Sequence, residues 1–229
     1  MIPEYKIKSE QTVNVINNLL NQGITKISVL LRHSERFFSK DPLKEPFMGL
    51  TDKGKKYAFD LGTQLCSGLV PVLYSSSIGR CIETAYLIDK GFSAVHNNLA
   101  TDHNRLDDRL TPFYIRDMVK AVHMVQKTGV NNFLRSWFDS AIDEAVMDNP
   151  ADTADIMCRF MIERIMNLHE NQICLCISHD WNIFPVREFK MGLKHETAGD
   201  VDYLDGVVFF EKEHQYFLTD NNTDPIRLP

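Results

Sequence analysis

Three short polar clusters in the sequence bring histidine and arginine together. Arg32, His33 and Arg36 stand in the first cluster, Arg80 in the second and His179 in the third. Guanidinium groups recognise phosphate with a planar fork of donors. A neutral imidazole is a nucleophile that can carry a phosphoryl group. Positive charges placed close together destabilise a fold unless an anion neutralises them. These residue types therefore predict a site that binds phosphate and in which a histidine can accept a phosphoryl group.

The segments that would position these clusters are apolar runs typical of buried strands. Residues 26–31, 70–74 and 173–177 each lead directly into one cluster. Residues 207–210 and 215–218 predict a hairpin near the carboxyl end. Ligands of an open parallel sheet bind outside the carboxyl ends of its strands. We therefore expect the three clusters to converge at one edge of the sheet.

Helical patterns alternate with these strands. An opening helix is predicted near the amino end, Thr51 can cap a second, and Pro150 begins a long one. A further helix is predicted to start at Ser76 or Ser77 and to end near Gly91. This alternation predicts an α/β fold, a three-layer sandwich in which helices cover both faces of a mainly parallel sheet.

The stretch at about residues 110–149 fits the alternation less well. It is rich in aromatic residues and in charges of both signs. We interpret it as a helical insertion over the site, within a single domain spanning residues 1–229. An ordinary pair of packed helices is the alternative.

Composition excludes several classes of function. The chain has 229 residues, of which 44% are hydrophobic and 24% charged, as in globular proteins. A net charge of −6 without a basic block argues against nucleic-acid or anionic-membrane partners. The apolar runs are far shorter than the roughly 20 residues that span a bilayer. Five cysteines and no apolar leader favour a reducing, cytoplasmic location. Nothing in the sequence indicates an oligomeric state.

Four segments of the chain resemble motifs of the histidine phosphatase superfamily, which includes phosphoglycerate mutases and acid phosphatases. They occur in the family order, and Ser34 takes the place of the usual glycine in the first of them. The segments are residues 32–36 (RHSER), 50–54 (LTDKG), 75–85 (SSSIGRCIETA) and 178–180 (SHD).

The resemblance implies the superfamily α/β fold and phosphoryl transfer through a phosphohistidine. No metal or other cofactor is expected, because the arginines would supply the positive charge that Mg²⁺ supplies elsewhere. Arg32, Arg36, Arg80 and His179 would then bind the phosphate. Spacing alone leaves the roles of the two histidines exchangeable. The resemblance favours His33 as the nucleophile and His179 as the second, phosphate-contacting histidine.

Two aspartates are candidates for the general acid that protonates the leaving group. Asp108 lies where the mutase-like branch carries its acid, and Asp180 matches the acid of the acid phosphatase branch. An aspartate beside arginines is held ionised, whereas an acid catalyst must hold its proton. We therefore favour Asp108 as the acid, with Asp180 as its helper.

The function predicted from these residues is hydrolysis of a phosphorylated small molecule by a phosphomonoesterase. One alternative is a phosphotransferase of the phosphoglycerate mutase type, which needs a phosphohistidine shielded from water. A second, of another class, is a module that binds a phosphorylated ligand without catalysis.

Overall fold

The computed structural model describes residues 9–41, 44–66, 68–96 and 104–229, and in these a seven-stranded sheet forms the centre of the molecule. In chain order its strands are β1 (Ile27–Arg32), β2 (Val70–Ser75), β3 (Arg105–Leu106), β4 (Gln172–Ser178), β5 (Gly206–Lys212), β6 (Gln215–Thr219) and β7 (Ile226–Arg227). Across the sheet the order is β3-β2-β4-β1-β5-β6-β7.

The pairing of the strands is parallel on one side of the sheet and antiparallel on the other. β4 pairs in parallel with both β1 and β2, and β2 pairs in parallel with β3. β5 runs antiparallel to β1 and forms a hairpin with β6. The three predicted parallel strands and the predicted hairpin are confirmed. β3 and β7 were not predicted, because two residues are too few to carry a periodic pattern.

Helices flank the sheet on both sides. They are α1 (Glu10–Asn21), α2 (Asp52–Gln64), α3 (Gly79–His96), α4 (Met118–Thr128), α5 (Val130–Phe138), α6 (Pro150–Met166), α7 (Asp180–Lys190) and α8 (His195–Ala198). Thr51 caps α2 as predicted, since its hydroxyl accepts a hydrogen bond from the amide of Gly54 at 2.9 Å. Among the described residues no helix is both long and apolar enough to cross a membrane.

The predicted end of α3 near Gly91 is wrong, because the helix continues to His96. Gly91 does not end the helix but allows α3 to pack closely against α2. A Cβ atom on Gly91 would lie 2.0 Å from the carbonyl oxygen of Phe59 in α2, and one on Gly62 would lie 2.0 Å from that of Ile88. The two glycines therefore let the backbones of α2 and α3 come into direct contact on one face of the sheet.

Residues of each strand alternate between two hydrophobic cores. On β4, Ile173, Leu175 and Ile177 face the layer built by α1, α2 and α3. Cys174 and Cys176 face the opposite layer, which contains α5, α6 and α7. This is the predicted three-layer α/β sandwich with a mainly parallel sheet.

The segment at about residues 110–149 contains α4 and α5. α5 buries Phe133, Leu134, Trp137 and Phe138 in the same core as α6 and α7, whereas Ala121 is the buried residue of α4. The Phe133 ring stacks on the indole of α7 with centroids 5.8 Å apart. Helices therefore occur where the sequence indicates them. That they form an insertion within one domain of residues 1–229 stays a prediction.

Candidate active site

The carboxyl ends of β1, β2 and β4 bring the predicted clusters together. His33 follows β1, and its amide donates a hydrogen bond to the Ser178 carbonyl at 2.9 Å. His179 follows β4, and its ring centroid lies 5.4 Å from that of His33, edge to face. Only 2% of His33 and 4% of His179 are exposed. Arg80, in the first turn of α3, reaches both rings.

The hydrogen bonds of His33 fix its tautomer. Nδ1 lies 2.8 Å from the carbonyl oxygen of Ser34. Since a carbonyl can only accept, Nδ1 carries the proton of the neutral ring. Nε2 therefore has the lone pair, and Nε of Arg80 donates to it at 3.0 Å. The unprotonated nitrogen of His33 thus faces a guanidinium group.

Burial and positive charge keep both histidines neutral. Burial lowers the pKa of His33 well below its usual range, and His179, Arg80 and Arg32 lower it further. The hydrogen bond to the Ser34 carbonyl acts in the opposite direction. Burial, followed by the charges of the surrounding arginines, lowers the pKa of His179 to about 3. At neutral pH each imidazole is therefore neutral and keeps one unprotonated ring nitrogen.

Hydrogen bonds from Arg80 in α3 and to Ser76 at the end of β2 hold the ring of His179. Nδ1 accepts a hydrogen bond from Nη2 of Arg80 at 3.3 Å, because a guanidinium can only donate. Its Nε2 lies 3.1 Å from Oγ of Ser76, at the end of β2, and donates to it in this tautomer. Arg80 therefore bridges the two imidazoles, with one guanidinium nitrogen directed at each.

The other two arginines are each paired with a carboxylate. Nη2 of Arg32 lies 2.8 Å from Oδ2 of Asp180, and Nη1 of Arg36 lies 2.5 Å from Oε2 of Glu45. The backbone carbonyl of Glu45 also accepts a hydrogen bond from Nη1 of Arg80 at 3.2 Å. Nε of Arg32 and Nε of Arg36 are buried without a hydrogen-bond partner among the described residues. These two buried donors therefore have unused hydrogen-bonding capacity.

Ser34, which replaces the family glycine, ties the loop after β1 to its neighbours. Its side chain is fully buried, and its hydroxyl donates to the carbonyl of Gly54 in α2 at 2.7 Å. Its amide donates to Oγ1 of Thr84 in α3 at 3.1 Å. Since the Ser34 carbonyl also orients His33, this serine connects His33 to both helices.

The two candidate acids lie in different surroundings. Asp180 accepts a hydrogen bond from the amide of Trp181 at 2.9 Å in addition to its ion pair with Arg32. Asp108 follows β3 in a single 3₁₀ turn and is exposed. Its carboxylate forms no hydrogen bond or ion pair within the described part of the chain. The neighbouring Asp107 is paired with Arg109, whose hydrogen bonds and charge outweigh burial and lower the pKa of Asp107.

Sequence reasoning missed Glu45, Ser76 and Tyr203. Tyr203 places its ring under the guanidinium of Arg32, with Cζ 4.4 Å from the ring centroid. Ser76 belongs to the motif segment at residues 75–85, which also contains Arg80. That position could have identified Ser76 as a site residue. Tyr203 comes from a loop that is distant in sequence from Arg32, and Glu45 follows Arg36 by nine residues in a loop. No sequence pattern marks either contact. Across residues 9–41, 44–66, 68–96 and 104–229, no three His, Cys, Asp or Glu side chains are grouped as metal ligands.

No protein-family model and no curated protein matches the sequence. Solved structures do match. A mycobacterial glucosyl-3-phosphoglycerate phosphatase is 14% identical, with a TM-score of 0.57, over 85% of this chain and 97% of that one. A phosphoglycerate mutase from Bacillus anthracis is 18% identical, with a TM-score of 0.55, over 85% and 91% of the two chains.

A phosphoserine phosphatase from Entamoeba histolytica, solved with phosphoserine, is 13% identical. Its TM-score is 0.53, over 86% of this chain and 96% of that one. These neighbours are histidine phosphatases of the phosphoglycerate mutase-like kind. The chain therefore has the phosphoglycerate mutase-like fold, as the motif resemblance predicts.

Proposed function

We propose that this protein is a phosphomonoesterase of the histidine phosphatase family that hydrolyses a phosphorylated small molecule through a phosphohistidine at His33. The observation that carries the proposal is the fixed tautomer of His33. Its Nδ1–H donates to a backbone carbonyl, and its Nε2 lone pair faces Arg80. The shared fold and the four sequence motifs support the same conclusion.

Phosphate binding is assigned to Arg32, Arg36, Arg80 and His179. A phosphate monoester repels nucleophiles because its oxygens are negative, and guanidinium groups offset that charge. The hydrogen bonds of the Arg80 guanidinium to both imidazoles support this role, because they place a cation beside His33. His179 is neutral in the empty site, and a bound dianion raises the pKa of a nearby imidazole. With a proton on Nδ1, His179 would donate to a phosphate oxygen.

Hydrolysis then takes two steps. In the first, the Nε2 lone pair of His33 forms a bond to phosphorus, and the bond to the leaving oxygen breaks with its electron pair. That oxygen receives a proton from the general acid. In the second step water attacks phosphorus, the N–P bond breaks, and its electron pair returns to Nε2. The proton of the water passes to the carboxylate that served as the acid.

We assign the acid to Asp108, with Asp180 as its helper. The Asp180 carboxylate is already engaged by hydrogen bonds from Arg32 and from the backbone amide of Trp181. Asp108 is exposed, and its carboxylate forms no ion pair among the described residues, so it is free to contact a substrate. These surroundings support Asp108 as the residue that meets the leaving group.

The proposed enzyme needs no metal or other cofactor, because three arginines supply the positive charge. We also propose a cytoplasmic location. All five cysteines lie within the described residues and none forms a disulfide, which supports a reducing compartment.

The test is to trap the phosphoenzyme. Wild type and His33→Ala are mixed with ³²P-labelled substrate from a panel of phosphorylated metabolites and quenched in alkali, which preserves phosphohistidine. Wild type should release phosphate and carry label, whereas His33→Ala should fold, bind vanadate and carry none. A His169→Ala variant, which changes an exposed histidine, should behave as wild type.

Three other outcomes have definite meanings. Turnover by His33→Ala at the wild-type rate would refute the assignment of the nucleophile. Label that moves to a second alcohol more readily than to water would identify a mutase-type phosphotransferase. Binding across the panel with no turnover and no label would identify a non-catalytic binding module.

A further inference from the structure

Two aromatic rings cover two of the arginines in the candidate site. Tyr203 lies under Arg32, as described above, and the ring of Phe38 lies 4.2 Å from Cζ of Arg36. The ring centroid of Tyr203 is also 6.0 Å from that of His33. An aromatic side chain therefore stands next to the nucleophile and another next to an assigned phosphate ligand.

Tyr203 is held in place by its own backbone. The amide of Leu204 donates to the carbonyl of Arg32 at 3.2 Å, and the amide of Arg32 donates to the carbonyl of Asp205 at 2.9 Å. Oγ1 of Thr12 donates to the carbonyl of Leu204 at 3.0 Å. The hydroxyl of Tyr203 has no hydrogen-bond partner within the described ranges. These backbone hydrogen bonds hold the half-exposed ring of Tyr203 beside His33, and the Tyr203 hydroxyl takes no part in holding it.

Phe38 belongs to a loop that exposes further apolar side chains. Phe38 is 68% exposed, Phe37 57% and Phe47 82%. The loop is tied to the arginines, because Glu45 pairs with Arg36 and accepts from the backbone amide of Ser39 at 2.6 Å. Exposed apolar side chains beside a polar site mark the place of an apolar part of a ligand.

The charged groups described in the site leave little positive charge for a second anionic group of a substrate. Two of its three guanidinium groups already face carboxylates, Asp180 and Glu45, and both histidines are neutral. One positive charge is left uncompensated in this cluster, on Arg80. A substrate with a second anionic group, such as a carboxylate, would meet Asp180 and Glu45 with no spare guanidinium in the cluster to receive it.

We propose that the site selects phosphate monoesters whose organic part is uncharged and carries a planar aromatic ring, which stacks on Tyr203 and Phe38. This names the substrate class of the proposed phosphatase and rests on that function for turnover. Aromatic rings in contact add favourable interaction beyond the area they bury. The arginine over each ring holds that ring in place next to the phosphate ligands.

The test measures binding with phosphonates, which cannot be hydrolysed, so its result does not depend on turnover. Benzylphosphonate carries an aromatic ring, and 3-phosphonopropionate carries a carboxylate. Calorimetric titration compares wild type with Tyr203→Ala, Phe38→Ala and Tyr203→Phe. The matched control is Tyr86→Ala, since Tyr86 is an exposed tyrosine that also contacts a cation, Lys90, but lies outside the assigned site.

Wild type should bind benzylphosphonate about tenfold more tightly than 3-phosphonopropionate. Each alanine variant should reduce this preference about 2- to 10-fold, while Tyr203→Phe and Tyr86→Ala should keep it. A ring that only supports its arginine would lower both affinities equally, so an unchanged ratio overturns the proposal. Equal or reversed affinities in wild type, or no binding of benzylphosphonate, overturn it as well.

Turnover of p-nitrophenyl phosphate separates this inference from the proposed function. Turnover through a phosphohistidine without the binding preference would leave the phosphatase standing and refute the aromatic selection. The binding preference without any turnover would support the aromatic selection and refute the phosphatase.

Discussion

Acid should destabilise this protein through the buried His179. In the folded chain its pKa is lowered to about 3, whereas an unfolded chain has the ordinary value near 6.5. Below about pH 6.5 the unfolded chain takes up a proton that the folded chain does not. Stability that is fully present above that pH is therefore lost progressively as the pH falls toward 3.

The size of this loss follows from the two pKa values. At pH 5 the unfolded imidazole is about 1.5 pH units below its pKa, and the folded imidazole is still neutral. Each unit corresponds to about 1.4 kcal/mol, so the free energy of unfolding at pH 5 should be about 2 kcal/mol lower than at pH 8 from His179 alone. A domain stable by about 5–15 kcal/mol would lose a measurable fraction. His33 acts in the same direction, since burial also lowers its pKa.

Urea unfolding at pH 8 and pH 5 measures this difference. The fluorescence of the two tryptophans, Trp137 and Trp181, reports the loss of the core, in which Trp137 is 1% exposed. His179→Gln should lose about 2 kcal/mol less than wild type between the two pH values, because glutamine does not titrate. His169→Gln, an exposed control, should follow wild type. An equal loss in wild type and His179→Gln would mean that His179 takes up its proton in the folded state, and would refute the reasoning.

Two further predictions concern catalysis. Asp108→Asn should lose about 10²–10⁴ in rate on an alkyl phosphate and far less on p-nitrophenyl phosphate, whose leaving group scarcely needs a proton. If Asp180→Asn shows this contrast and Asp108→Asn does not, the two roles are reversed. Activity should persist in EDTA and should be inhibited by vanadate, because arginines supply the positive charge. Activity lost in EDTA and restored by one specific divalent ion would show that a metal takes part.

The arrangement of the site could be predicted largely because its parts lie at strand ends. His33 and His179 directly follow strongly apolar runs, and parallel pairing of β1 with β4 puts their carboxyl ends side by side. Once the strands are recognised, sheet geometry determines that the two histidines meet. Arg80 follows from the same logic, since it opens the helix after β2.

Other features could not be predicted, because the sequence pattern does not encode the contact that decides them. Glycine near the end of an apolar helical pattern is typical of a helix terminus, yet Gly91 lies inside α3 and packs on Phe59. Only the position of α2 distinguishes the two uses. Glu45 likewise reaches Arg36 from a loop whose course depends on tertiary packing, and no periodicity marks such a loop.

The three arginines of the site differ in whether a carboxylate neutralises their charge. Sequence alone suggests an uncompensated cluster that only an anion could neutralise. In the structure Arg32 and Arg36 already have carboxylate partners, and only Arg80 is surrounded by neutral acceptors, the two imidazoles and a backbone carbonyl. Within this cluster of described residues, the uncompensated charge therefore lies between His33 and His179. In the proposed reaction negative charge on the phosphoryl group would shift at this place, so Arg80 is the arginine that we expect to stabilise the transition state most.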